Sequence, residues 1–333
     1  MKAIAKAKLN TLLDAIAKES NLLVPVSGDG TSKFAPYTQG AQLSFDGRTL
    51  LPPKDVFFPQ TEKMYKFKTN GMNASVETAL EAPRLQVLFG IRPCDAKSIH
   101  CLDHVFLTKG YVDEFYKAKK DATLIVSIGC NGPAQPTCFC KSMGVNPQEA
   151  EGVDVHLYDL GTDYGVVAKT EKGEKLFLDK YASFFTETTA QVPALADFPL
   201  EVNVDGITEK LEKMFDHPLW EEVAKKCLGC GACTYLCPTC HCFDISARVA
   251  GDQGFRFRCW DSCMFSEYTR MSAGNPRPSK KERVRNRMLH KLQYFKERYG
   301  DLLCTGCGRC LSKCPVNMDI TKIIKQVREA DLA

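Results

Sequence analysis

Several common features are missing from this sequence of 333 residues. No apolar stretch approaches the ~20 residues that a membrane-spanning helix needs. The stretch from Met1 to Leu9 carries three lysines among its apolar residues, which is unlike the continuous apolar segment of a secretory signal peptide. We therefore expect no membrane span and a cytoplasmic location, where thiols stay reduced and can bind metal.

The glycine-rich motifs that bind nucleotides are also missing. No G-x-G-x-x-G follows a predicted strand, and the sequence has no Walker loop. No group of Ser, His and Asp residues suggests covalent or acid–base catalysis. These absences argue against an enzyme that binds a dinucleotide and acts alone.

Cysteine, in contrast, is abundant: the chain has 17, and eight of them form two copies of one motif. Both copies read C-x2-C-x2-C-x3-C-P, the arrangement that binds [4Fe–4S] clusters in two-cluster ferredoxins. The first copy contains Cys227, Cys230, Cys233 and Cys237, and the second contains Cys304, Cys307, Cys310 and Cys314. The spacing therefore predicts two [4Fe–4S] clusters and an electron-transfer function.

The ferredoxin arrangement also predicts which thiolates share a cluster. Three cysteines of a copy bind one cluster, and the fourth binds the other. The predicted ligand sets are Cys227, Cys230, Cys233 and Cys314 for one cluster, and Cys304, Cys307, Cys310 and Cys237 for the other. Zinc is the main alternative, but structural zinc is usually held by two C-x2-C pairs from separate knuckles. A disulfide framework suits the pattern less well.

Four further cysteines suggest a third site. Cys94 and Cys130 each follow a predicted strand, at 85–91 and 123–128. If these strands are parallel neighbours, both cysteines emerge at the same edge of the sheet, where α/β proteins place ligands. Cys138 and Cys140 lie in the following loop. We expect a third [4Fe–4S] cluster bound by these four cysteines, and the alternative is that they are buried core thiols.

The remaining five cysteines are not assigned to a cluster. We expect them to pack in the core or beside the clusters as small polarisable side chains, and we expect His241 to be a neighbour rather than a ligand. These cysteines are Cys101, Cys240, Cys242, Cys259 and Cys263.

The pattern of apolar residues predicts two domains. Residues 1–200 read as an α/β domain, because short apolar strands alternate with helical spacing. Residues 201–333 read as an all-α dicluster domain of the ferredoxin type, with the two motifs joined through helices. The predicted elements of the first domain are an N-terminal helix to residue 18, strands at 85–91, 123–128, 153–158 and 164–169, and helices at 95–106 and 113–120.

A basic helix is predicted between the two motifs. It opens with a capping box at Ser279 and Glu282 and ends at Gly300. Its cations lack the interleaved aromatic residues that stack on bases, so we expect no nucleic-acid binding. We expect Arg283, Arg287 and Lys291 to balance cluster charge or to dock a partner protein.

Several segments resemble one known family. They include Pro52-Pro-Lys, Phe89-Gly-Ile-Arg-Pro-Cys94-Asp95, Cys138-Phe-Cys140, Cys-Pro-Thr-Cys240-x-Cys242 and Trp260-Asp-Ser-Cys263. This set resembles the iron–sulfur β subunit of soluble archaeal sulfhydrogenases and the A subunit of anaerobic sulfite reductase, over most of the chain.

The resemblance implies an electron-transfer subunit of a soluble anaerobic oxidoreductase complex. Such a subunit lies between a flavin subunit that uses NAD(P)H and a hydrogenase, sulfite reductase or heterodisulfide-reductase-like partner, and it has no substrate site of its own. The alternative is an enzyme in its own right, with a flavin or small-substrate site in the α/β domain. The missing dinucleotide motif argues against that alternative.

Overall fold

The computed structural model describes residues 1–28 and 30–332. In these ranges the chain forms a mixed eight-stranded sheet, an antiparallel four-stranded sheet and a set of helices. The strands are β1 (Lys2–Ala5), β2 (Asn21–Gly28), β3 (Thr31–Pro36), β4 (Thr61–Asn70), β5 (Asn73–Thr78), β6 (Gln86–Ile91), β7 (Thr123–Ile128), β8 (Val155–Asp159), β9 (Asp163–Ala168), β10 (Thr186–Glu187), β11 (Phe243–Ala250) and β12 (Gln253–Trp260).

Most of the helices are short, and α2, with 15 residues, is the longest of those described. The α-helices are α1 (Leu9–Ala17), α2 (Pro93–Leu107), α3 (Glu114–Asp121), α4 (Glu171–Gly173), α5 (Ile207–Glu212), α6 (Leu219–Ala224), α7 (Ala232–Tyr235), α8 (Lys280–Leu289), α9 (Phe295–Tyr299), α10 (Arg309–Ser312) and α11 (Ile320–Glu329). Two π-helical segments, Glu174–Asp179 and His290–Tyr294, and several 3-10 turns complete the set. None of the helices in the described ranges is long and apolar enough to cross a membrane.

The large sheet has the order β10-β1-β9-β8-β7-β6-β2-β3. Its four central strands, β2, β6, β7 and β8, run parallel, and the strands toward both edges run antiparallel. Every residue of β7 is buried, as a continuous apolar run predicts for a strand that is covered on both faces. The predicted α/β architecture and the parallel pairing of β6 with β7 are confirmed.

Both faces of the large sheet are covered by helices. Val87 and Phe89 of β6 pack with α1 and with Phe177 on one face. Leu88 of the same strand packs with α2 and with Phe58 on the other face. This alternation is the period of two that a strand imposes on its side chains. The sheet therefore has two apolar layers, and its carboxyl edge stays available for the cysteine loops.

The N-terminal residues differ from the prediction of a single helix to residue 18. Lys2–Ala5 form strand β1, which pairs antiparallel with β9, and the helix α1 begins only at Leu9. Ala3 and Ile4 are buried in this strand. Pairing with a strand that lies far along the chain decides the conformation of these four residues, and the local apolar spacing does not reveal it.

The four-stranded sheet has the order β11-β12-β4-β5. Its hairpin β11–β12 lies within residues 201–333, so the prediction of an all-α domain is wrong for this segment. The hairpin pairs with β4, which belongs to the first 200 residues. The predicted boundary near residue 200 stays a prediction, because a sheet is shared across it.

The helices around the motifs pack on one apolar core. Trp220 lies at its centre, fully buried, and its Nε1 donates to the carbonyl oxygen of Met214 at 2.6 Å. The predicted capping box at Ser279 and Glu282 opens α8. The helix continues through the π-helical segment and α9 to Gly300, whose φ of 86° ends it as predicted.

The loop of the second motif packs directly on the loop that carries Cys138 and Cys140. The N–H of Phe139 donates to the carbonyl oxygen of Gly306 at 2.8 Å. Gly306 has a φ of 62°, and a Cβ added there would lie 2.5 Å from the oxygen of Phe139 and 2.6 Å from the Cα of Cys140. Only a glycine permits this contact between the two loops.

We predict that Gly306→Ala lowers the stability of the chain much more than Gly229→Ala. The two glycines occupy equivalent motif positions and both have positive φ, so each substitution costs about 1–2 kcal/mol of backbone strain. At Gly229 the nearest atom to a Cβ is 3.5 Å away, so only the Gly306 variant adds the cost of overpacking, about 1–3 kcal/mol. Anaerobic thermal unfolding of the two variants measures the difference. Equal losses would contradict the loop contact.

Candidate metal centres

The first thiol site lies between the first motif and the end of the second. Cys227, Cys230, Cys233 and Cys314 line one cavity. Backbone N–H groups point at two of the sulfurs: Gly229 donates to Cys227 Sγ at 3.4 Å and Met318 donates to Cys314 Sγ at 3.1 Å. Burial raises the pKa of Cys227, and Cys233, Cys230 and Cys314 raise it further by their charge. We call this group the first-motif site.

The second thiol site combines the second motif with the last cysteine of the first. Burial raises the pKa of Cys310 to about 12, and the charges of Cys304, Cys307 and Cys237 contribute. The Nζ of Lys291 lies 3.2 Å from Cys237 Sγ. We call Cys237, Cys304, Cys307 and Cys310 the second-motif site.

These two groups have the crossed composition that the motif spacing predicts. Cys314 belongs to the second copy but joins the first-motif site, and Cys237 belongs to the first copy but joins the second-motif site. In each copy a short helix, α7 or α10, contains the third cysteine and leads away from the loop to the last one. The structure places the first set around one cavity. In the second set, Lys291 Nζ contacts both Cys237 Sγ and the carbonyl oxygen of Leu303, the residue before Cys304, and ligation of iron by either set stays a prediction.

A third group of thiols lies at the carboxyl edge of the large sheet. Cys94, Cys130, Cys138 and Cys140 line one cavity, as the strand order predicts. Cys94 is in the first turn of α2 after β6, and Cys130 follows β7. Burial raises the pKa of Cys140 to about 12, with contributions from the charges of Cys138 and Cys130. We call these four residues the sheet-edge site.

The three thiol sites form a row. Arg287 lines the first-motif cavity, and its charge also acts on Cys310 and Cys237 of the second-motif site. Cys307 of the second-motif site lines the sheet-edge cavity, and the Sγ of Cys138 lies 3.9 Å from its carbonyl oxygen. The second-motif site therefore lies next to the sheet-edge site at Cys307, and it shares the cation Arg287 with the first-motif site.

Several cationic side chains near these sites are buried in the protein. Arg283, Arg287 and Lys291 of the basic helix are buried, with 8%, 8% and 3% of their surface exposed. The prediction that they dock a partner is therefore wrong for these buried side chains. Arg287 and Lys291 lie at the thiols, and Arg283 donates to the carbonyl oxygens of Arg277 and Pro278. Burial lowers the pKa of Lys291, but the charges of Cys237, Cys240 and Cys304 raise it above its usual range. The alternative prediction, that they balance the charge of the sites, agrees with this placement.

The donor sets and the buried cations fit anionic iron–sulfur clusters. Each site offers four thiols, and the Nε atoms of Arg287 and Arg48 are buried without a hydrogen-bond partner among the described residues. Arg287 lines the first-motif cavity and Arg48 lines the sheet-edge cavity. A buried cation without a partner is costly, and a negatively charged group in the same cavity removes that cost.

The five unassigned cysteines take four different positions, and Cys259 lies on strand β12, outside the three sites. Cys101 is fully buried on α2, as expected for a core thiol. Cys242 and Cys263 are in contact, and the hydrogen bond from Cys263 lowers the pKa of Cys242 to about 6. Cys240 donates to Cys237, which lowers the pKa of Cys237 below its usual value. Cys240, Cys242 and Cys263 therefore lie beside motif cysteines, as the sequence predicts.

One buried lysine near the sites was not predicted from the sequence. Lys54 is 3% exposed, and its Nζ donates to the carbonyl oxygen of Cys240 at 2.9 Å. The same Nζ lies 3.8 Å from the ring centroid of Trp260, in a cation–π contact. The segment Pro52-Pro-Lys54 is part of the family resemblance, but nothing in its sequence indicates that the lysine is buried beside the thiol sites.

Comparisons with known proteins agree with the geometry of the motif region. The family model described as "4Fe-4S dicluster domain" matches residues 226–318. The chain is 31% identical over 316 residues to "Sulfhydrogenase 2 subunit beta" of Pyrococcus furiosus, covering 92% of this chain and 91% of that protein. No solved structure matches the chain.

We predict that Cys314→Ser changes the cluster of the first-motif site, although Cys314 belongs to the second motif. Its spectrum after anaerobic reduction, measured by electron paramagnetic resonance, should resemble that of Cys230→Ser and differ from that of Cys304→Ser. Cys259→Ser, on strand β12 and outside all three sites, is the matched control and should leave the spectrum unchanged. A Cys314→Ser spectrum like that of Cys304→Ser would show that the ligand sets are not crossed.

Proposed function

Because the chain belongs to the family of sulfhydrogenase β subunits, we propose that it is an iron–sulfur electron-transfer subunit of an anaerobic oxidoreductase complex. In this proposal it relays electrons between a flavin subunit that uses NAD(P)H and a hydrogenase, sulfite reductase or heterodisulfide-reductase-like partner. The observation that carries the proposal is the row of three sites, each with four thiols. We further propose that the complex works in the cytoplasm.

The proposed cofactors are [4Fe–4S] clusters, which supply one-electron redox chemistry when bound. Two would be held at the first-motif and second-motif sites, and a third at the sheet-edge site. The thiols that would hold them are Cys227, Cys230, Cys233 and Cys314, then Cys304, Cys307, Cys310 and Cys237, then Cys94, Cys130, Cys138 and Cys140.

The protein contributes orientation and charge to each site. Backbone N–H groups of Gly229 and Met318 point at sulfurs of the first-motif site. Lys291 is placed at the second-motif site, and Arg92 Nη1 lies 3.8 Å from Cys130 Sγ at the sheet-edge site. Hydrogen bonds and cations of this kind stabilise a reduced, more negative centre and thereby raise its reduction potential.

The position of the sheet-edge site bears on the alternative of an independent enzyme. Parallel α/β sheets bind their ligands at the carboxyl edge of the strands. In this chain Cys94 and Cys130 occupy that edge, after β6 and β7. A flavin or small substrate would have to bind elsewhere on the domain, and this favours the electron-transfer function.

We predict that the chain purifies from native cells in a complex and has no NAD(P)H-dependent activity alone. Anaerobic affinity purification should recover a flavin-containing protein with it, and the complex should reduce a viologen dye with NADH or NADPH. The cluster-loaded chain by itself should accept electrons from dithionite but not from either nucleotide. A monomer in native extracts, or nucleotide oxidation by the isolated chain, would contradict the proposal.

We predict that Lys291→Met lowers the reduction potential of the second-motif site. Removing a unit charge near the site destabilises the reduced form, by on the order of 100 mV for a charge about 7 Å away in an effective dielectric constant of about 20. Potentiometric titration followed by electron paramagnetic resonance measures the shift. Arg298→Met, which removes an exposed cation about two helical turns further along, is the control and should shift the potential far less. Equal shifts would mean that Lys291 has no specific effect on this site.

A further inference from the structure

A group of metal-binding side chains lies outside the three thiol sites. His100 and His104 are one turn apart on α2, and Asp301 lies opposite them in the segment that leads to the second motif. The Nε2 atoms of the two histidines are 3.4 Å and 3.7 Å from the same Oδ2 of Asp301. One ligand atom from each residue lies within 4.8 Å of the other two. We call these residues the histidine–aspartate cluster.

The donors suit a divalent transition metal better than calcium or magnesium. Two imidazole nitrogens and one carboxylate oxygen are ligands that zinc binds, and zinc sites with three protein ligands keep a position for water. The cluster is accessible, because His100 is half-exposed and lines a groove that is open to solvent. A hydrated ion can therefore reach it without any opening of the fold.

Packing fixes the second histidine in place. The ring of His104 lies 5.2 Å from the ring of Tyr299 and 6.3 Å from that of Phe295, measured between centroids. Burial lowers the pKa of His104 and the charge of His100 lowers it further, which favours the neutral imidazole. A neutral, ordered imidazole is the form that binds a metal ion.

Lys97 is the competitor at this site. Its Nζ lies 2.8 Å from Oδ1 of Asp301, and the other carboxylate oxygen faces the histidines. The lysine neutralises Asp301 in the absence of another cation, and it repels a bound divalent ion. Its removal should therefore strengthen metal binding while leaving all three ligands in place.

We propose that His100, His104 and Asp301 bind a divalent transition-metal ion of the zinc type. The bound ion cross-links α2, whose first turn carries Cys94 of the sheet-edge site, to the segment that enters the second-motif site at Cys304. The carbonyl oxygen of Leu303 in that segment accepts hydrogen bonds from Thr239 Oγ1 at 2.8 Å and from Lys291 Nζ at 3.3 Å. The ion would thus connect α2, which carries Cys94, to the segment that leads to Cys304, and these two cysteines belong to neighbouring sites.

The test is calorimetric titration of the full-length, cluster-loaded chain with Zn²⁺ under anaerobic conditions. The wild type should bind one ion at this site, and His100→Gln and His104→Gln should each weaken that binding by roughly tenfold or more, at least the effect of losing an outer-shell partner. His217→Gln is the control, because His217 Nε2 lies 3.0 Å from the carbonyl oxygen of Asp331 and outside the cluster. Zinc bound equally by wild type, His100→Gln and His104→Gln would overturn the proposal.

Two further measurements separate this site from the free thiols. X-ray absorption at the zinc edge of the zinc-loaded wild-type chain should show nitrogen and oxygen neighbours at about 2.0–2.2 Å. A sulfur shell at about 2.3 Å would place the ion at cysteines and overturn the proposal. Lys97→Met should bind zinc severalfold more tightly than the wild type and should gain more in melting temperature when zinc is added. Unchanged or weaker binding by Lys97→Met would contradict a ligand role for Asp301.

Discussion

The buried ion pair between Arg309 and Asp95 is the interaction on which the arrangement of the sites depends. The two side chains are 0% and 1% exposed, and Nη1 of Arg309 lies 2.7 Å from Oδ1 of Asp95. Arg309 stands inside the second motif, and Asp95 is in the first turn of α2 next to Cys94. Loss of one partner of such a pair typically costs about 3–5 kcal/mol, since the other charge stays buried. The pair therefore holds the sheet-edge thiols against the second-motif thiols.

Charge balance explains why so many cations are buried around this row. Burial raises the pKa of Cys310 and Cys140, and the charges of neighbouring thiolates raise it further, so charged thiols are costly here. Arg287 and Lys291 of the basic helix face inward, toward the sites, and their positive charge offsets the negative charge of the thiolates. The spacing of apolar residues in this helix, taken alone, would place the same cations on the solvent face. The thiols that they face lie far away along the chain, so the local pattern does not reveal them.

The parts of the structure that depend on local patterns could be predicted from the sequence. The apolar runs gave β6 and β7 and their parallel pairing, and this pairing brought Cys94 and Cys130 to one edge of the sheet. The hairpin β11–β12 was missed although its two strands are consecutive in the chain. The strand β1 was missed because its pairing partner, β9, is distant in sequence. The role of Lys54 was missed for the same reason: a lone lysine carries no sign that Trp260 and Cys240 will enclose it.

The most direct test of the account is the iron content of the full-length chain, purified without oxygen, beside that of the Cys94→Ser/Cys130→Ser double variant. Three sites of four irons predict about twelve irons for the wild type and about eight for the variant. Mössbauer spectroscopy should assign all of this iron to [4Fe–4S] clusters. Eight irons in both proteins would remove the sheet-edge site from the row, and zinc in place of iron would contradict the electron-transfer function itself.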